Sequence, residues 1–141
     1  MSGKNLLFFV FISFLVTLNT TDIYVSTKGS DTNTGTTLNQ AYKTFKKALS
    51  FSQTDLNILV EEGIYADVQI TIHNQTNIKI SSISGVDKTT LQKYSTSETT
   101  TEKNIFDIKL SKYVTISGFS LDGTSTMSSF GSLVKLNKNR F

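Results

Sequence analysis

"SKYVTISGFSLDG", residues 111–123, alternates small polar residues with Val114, Ile116, Phe119 and Leu121 and breaks at Gly118 and Gly123. A period of two places successive side chains on opposite faces of a strand. The deciding matter is whether this strand stands alone or recurs. "NIKIS", residues 77–81, matches "YVTIS", residues 113–117, at an offset of 36, and "SISG" at 82–85 resembles "TISG" at 115–118. Between the copies lies "STSETTTEK", residues 95–103, a polar low-complexity tract that reads as an inserted loop. Without roughly a dozen inserted residues the period falls to the low twenties, within the range of stacked repeat proteins.

Outward from that stretch the same period continues. Ile58 and Val60, then Val68, Ile70 and Ile72, then Ile78 and Ile80 form alternating runs. Leu91, the set Phe106, Ile108 and Leu110, the pair Val114 and Ile116, and the pair Val134 and Leu136 follow. Asn, Gly, Asp and Ser separate these runs, and no helical stretch serves as a crossover. The exception comes earlier. In "LNQAYKTFKKALSFS", residues 38–52, Leu38, Tyr42, Phe45 and Leu49 fall at helical spacing with Lys43, Lys46 and Lys47 opposite. That pattern predicts an amphipathic helix of about three or four turns.

Composition narrows the setting. The chain has 141 residues, room for one domain, and 38% hydrophobic content. It has no cysteine, so neither disulfides nor a Cys-based zinc site contribute. Lys4 followed by the uncharged run Leu6–Leu18 has the order of a signal peptide. Its 13 residues fall short of the roughly 17 to 25 that a spanning helix needs. We therefore expect a signal peptide at 1–21 and an extracellular or cell-surface location through the secretory pathway. A membrane association would require an anchor further downstream. The net charge of +3 drops by one with the leader, too little to imply nucleic acid. Most aromatic residues fall in the leader or at inward positions, which leaves no base-stacking platform.

The stretch "IYVSTKGSDTNTGTTLNQAYKTFKKAL", residues 23–49, resembles the N-terminal cap of pectin lyase-like right-handed parallel β-helix proteins. "NILVEEGIY", residues 57–65, is similar to a first coil of that superfamily, and "YVTISGFSLDG" to a later one. The chain departs from the cap pattern in having no proline before its aromatic residue. The resemblance implies an all-β solenoid, a right-handed parallel β-helix with an N-terminal amphipathic capping helix. It divides the chain into a cap at 22–52 and coils at 53–141. Stacked coils bury apolar faces only against their neighbours. An uncapped last coil, ending at "NKNRF", is therefore open to self-association and reads as the end of a fragment or shortened product.

The superfamily includes polysaccharide lyases and hydrolases as well as non-catalytic adhesins, and fold does not choose among them. Lyases of this type use an arginine base beside a calcium cluster, and the only arginine here is the penultimate residue, Arg140. Glycoside hydrolysis needs two carboxylates across a sugar. Asp107 and Asp122 sit on neighbouring runs, but no further motif residue supports them. Glu61 and Glu62 are adjacent and point to opposite faces. "DTNTG", residues 31–35, reads as an Asx-rich turn, its resemblance to a calcium loop being faint. His73 has no evident partner in the sequence.

These residues thus specify no catalytic site, metal site or cofactor. We expect a module for adhesion or glycan contact, with an outward row of Gln69, Thr71, Lys79, Lys109, Thr115 and Ser117 facing a polysaccharide. The alternative is the N-terminal part of a polysaccharide-degrading enzyme. "NQT", residues 74–76, is an N-glycosylation sequon that makes Asn74 a candidate modification site.

Overall fold

The computed structural model describes residues 20–52, 54–93, 104–122 and 134–137. Residues 1–19 of the expected leader, the 95–103 tract and Arg140 lie outside these described residues. What is described is all-β and built of parallel sheets, with one short helix. The strands are β1 (Thr21–Val25), β2 (Thr54–Val60), β3 (Gly63–Val68), β4 (Ile70–His73) and β5 (Thr76–Ser82). There follow β6 (Thr89–Lys93), β7 (Phe106–Lys109), β8 (Lys112–Ser117), β9 (Ser120–Asp122) and β10 (Val134–Asn137).

They are dealt in rotation to three sheets, of order β1-β2-β5-β8, β3-β6-β9 and β4-β7-β10. Every pairing is parallel. Each triplet β2-β3-β4, β5-β6-β7 and β8-β9-β10 therefore contributes one strand to each sheet. Asp55 and Asn77, neighbours across β2 and β5, are 22 positions apart, which is the bare repeat without insertion. From β5 to β8 the spacing is 36, so Ile78 pairs with Val114 and Ile80 with Ile116. The offset found between "NIKIS" and "YVTIS" is thus the true ladder register. The "SISG" match is out of step with it: Gly118 stands against Ser82, close enough that an added Cβ would lie 3.2 Å from the Ser82 Cβ.

One core runs between the sheets. Ile23, Leu56, Ile58, Ile78 and Ile80 from the first sheet meet Tyr65 and Leu91 from the second and Ile70, Ile72 and Phe106 from the third. Eight of these, all but Tyr65 and Phe106, have no exposed surface at all. Burying side chains of this size stabilises by roughly 1.5–3 kcal/mol each relative to exposure.

The helix is shorter than its spacing predicts. Residues 38–52 give a 3-10 turn at Leu38–Gln40 and a five-residue helix α1, Phe45–Leu49, with extended backbone between them. The reason is the free edge of β1. The Tyr42 N–H donates to the Tyr24 carbonyl and the Tyr42 carbonyl accepts from Ser26 N–H, both at 2.9 Å. Gly35 supplies a third partner, accepting from Tyr24 N–H at 2.8 Å. Pairing an otherwise open strand edge outweighs continued helix here. Gly35 adopts φ +75°, and a side chain there would strike the Tyr42 ring.

Asp31 then starts the helix. Its carboxylate accepts from Lys43 N–H and Thr44 N–H at 2.9 Å and from the Thr44 hydroxyl at 2.8 Å. Thr44 in turn caps α1 by accepting from Lys47 N–H. The Asx-rich reading of residues 31–35 thus acquires its purpose: Asp31 braces the α1 entry. Phe45, Ala48 and Leu49 turn inward, and α1 packs on β1 and β4.

Candidate functional site

The outer face of the β1-β2-β5-β8 sheet is a grid set by parallel register. One row runs Asp22, Asn57, Lys79, Thr115 and the next Tyr24, Leu59, Ser81, Ser117. Strand spacing of about 4.8 Å places these side chains in steps across the sheet. Asn57 donates its amide to the Asp22 carboxylate at 2.8 Å, while Lys79, Thr115 and Ser117 are exposed.

A third row borders this face at the strand starts: Asp55, Asn77 and Tyr113. All three have left-handed backbone, with φ of 52°, 56° and 54°. The Asn77 amide donates to the Asp55 carboxylate at 2.6 Å. Tyr113, at the same place in the last triplet, is 78% exposed. Asn and Asp tolerate this conformation because their short polar side chains bond locally; tyrosine lacks that compensation. The grid therefore ends in an outward aromatic ring held at a strained corner.

Tyr113 is thus an exception to the expectation that most aromatics lie in the leader or at inward positions. The signal was available: the offset of 36 lays Tyr113 on Asn77, a residue type suited to a left-handed corner. Leu110 is a correction. It was expected to continue the inward set Phe106 and Ile108, yet it is 59% exposed, because the backbone turns left-handed there at φ 52°. One such residue breaks the strict alternation that period-two counting assumes.

The six residues of the expected outward row divide between two faces. Lys79, Thr115 and Ser117 share the grid. Thr71 and Lys109 belong to the β4-β7-β10 sheet, with Gln69 exposed just ahead of β4. On that second face Asp107 is central. Lys109 reaches its carboxylate at 2.8 Å and His73 at 3.4 Å. The Lys109 hydrogen bond, against a smaller opposing effect of burial, holds the Asp107 carboxyl below its ordinary range. His73 thus has the carboxylate neighbour that the sequence did not reveal, because Asp107 sits one triplet further along the chain.

Other carboxylates are occupied elsewhere. Asp122 lies on the β3-β6-β9 sheet and takes the Gln92 amide at 3.2 Å, so it and Asp107 stand on different sheets. Glu61 accepts from the Ser26 hydroxyl, whereas Glu62 approaches Lys88 at 3.8 Å. Asn74 is exposed in the turn between β4 and β5, where its N–H donates to the Lys109 carbonyl at 3.0 Å. Gln75 points inward to the Leu49 carbonyl at 2.9 Å and Thr76 outward, so both sequon side chains face solvent.

No helix among the described residues is long and apolar enough to cross a membrane. Neither a protein family, a curated protein nor a solved structure matches this chain.

Proposed function

We propose that this chain is a secreted or surface-displayed right-handed parallel β-helix of the pectin lyase-like type, and that it contacts glycans without cleaving them. The apolar leader supports secretion. The rotation of strands among three parallel sheets, at a bare repeat of 22, supports the coil. In this reading α1 closes the N-terminal end of the stack, covering apolar groups that would otherwise meet water.

The observation that carries the glycan reading is the grid with Tyr113 at its corner. A sugar ring offers an apolar C–H face to an aromatic ring and hydroxyls to amides, ammonium groups and hydroxyls. A site needs both kinds of partner, an apolar surface and a few placed polar groups. Tyr113 supplies the first and Asn77, Lys79, Thr115 and Ser117 the second. Parallel register repeats the polar groups at even steps, which suits a polymer more than a single sugar.

The test is a glycan array with the intact protein and two variants. Tyr113→Ala abolishes the hits in this reading, whereas Thr71→Ala on the other face leaves them unchanged. Hits that survive Tyr113→Ala, or an array without signal above the Tyr113→Ala background, would remove the glycan claim.

A further inference from the structure

Apart from the grid, a groove of about 600 Å³ opens between α1 and β3. That volume lies within the range of small-molecule sites, about 300–1,000 Å³. Its floor is apolar: Phe45 and Tyr65 meet edge to face with ring centroids 5.5 Å apart, and Val68 and Ile64 continue it. Tyr65 presents only its ring, because its hydroxyl donates inward to the Glu61 carbonyl at 2.9 Å. Burial, with Glu61 nearby, pushes that phenol well above its ordinary pKa, so it stays neutral.

The rim is cationic. Lys43 and Lys46 line it together with Gln69, and neither lysine has an ion-pair partner among the described residues. Asp31, which bonds to the Lys43 and Thr44 backbone, is already committed to these two N–H groups and the Thr44 hydroxyl. Ile64 is 64% exposed, a large apolar side chain left in water at the edge of an apolar floor.

We propose that this groove binds a small amphipathic carboxylate, its apolar body on Phe45, Ile64, Tyr65 and Val68 and its charge between Lys43 and Lys46. Charge complementarity selects the anion, and the floor selects an apolar body over a free inorganic ion. The site is separate from the grid and does not depend on glycan binding there.

The test is a titration of the 15N-labelled protein with 2-naphthoate and, in parallel, uncharged 2-naphthylmethanol, followed by amide shifts. Saturable shifts confined to residues 43–46 and 64–69 are expected for the carboxylate, with the alcohol at least about tenfold weaker. The double variant Lys43→Gln/Lys46→Gln should weaken the carboxylate about tenfold and leave the alcohol unchanged. The amide spectrum of that variant also reports whether it is folded, and both lysines are exposed. Equal binding of the two probes, shifts centred on Leu110 and Tyr113, or no saturation by about 10 mM would overturn the proposal.

Discussion

The middle triplet, β5-β6-β7, and the last one, β8-β9-β10, repeat one pattern with different results. Ile78 and Ile80 of β5 have no exposed surface, whereas their ladder partners Val114 and Ile116 on β8 are only partly buried. At the corner, Asn77 bonds to Asp55 while Tyr113 stands in solvent. At the preceding turn, Asn74 and Leu110 share the left-handed conformation, and again the last triplet has the less suited residue. β5 lies between two strands, β2 and β8, and so is covered on both sides. Among the described strands β8 is paired on one side only. The lesson is that in this architecture a residue's burial is set by its neighbours along the stack as much as by its own strand.

The sharpest way to break this comparison is truncation inside the core. Ile78→Ala should cost about 2–5 kcal/mol, the usual range for a fully buried aliphatic residue, against about 1 kcal/mol for Val114→Ala. Urea midpoints of the two variants measure the difference, and equal losses would show β8 to be as well covered as β5.

A smaller effect of opposite sign is expected at the corner. Tyr113→Asn should stabilise by about 0.5–1 kcal/mol by placing a tolerant residue at φ 54°. Asn77→Tyr should destabilise by at least as much, since it also removes the bond to Asp55. If Tyr113→Asn lowers the melting temperature, strain does not distinguish the two corners.

The smallest effect lies on the outer face of the middle triplet, within β7. Asp107 has a folded pKa below its ordinary 3.8, chiefly through Lys109. Its stabilising contribution is therefore complete above that ordinary value and disappears as pH falls through the lowered folded value. Lys109→Gln should cost no more than about 1 kcal/mol at neutral pH, because the pair is partly exposed. The gap from the parent protein should close in strong acid. Melting curves from about pH 6 to pH 2 follow it, and a gap independent of pH would assign Lys109 a packing role instead.

Much of the scaffold was legible in the chain. Alternation located the runs around Ile58, Ile70, Ile78, Phe106 and Val114, and the offset of 36 supplied the pairing of β5 with β8. The helix was visible as a pattern but not in its length, because helical spacing in residues 38–52 does not show that Tyr42 is needed at the edge of β1. The grid was only half legible. Lys79, Thr115 and Ser117 read as outward and share the grid, but Thr71 and Lys109 lie on another sheet, and alternation alone does not single out Tyr113 at the corner.

Period-two patterning and the self-match determined that the chain makes strands and which strands repeat, since burial on one face writes itself into local sequence. Only the tertiary structure decided which outward residues share a face. That depends on where the chain turns between sheets, and left-handed residues such as Leu110 and Tyr113 change a side chain's direction without changing the hydrophobic pattern. It also decided that His73 meets Asp107 and that Lys43 and Lys46 border an apolar groove. These neighbours are joined by strand pairing and packing across long stretches of chain, for which local sequence carries no mark.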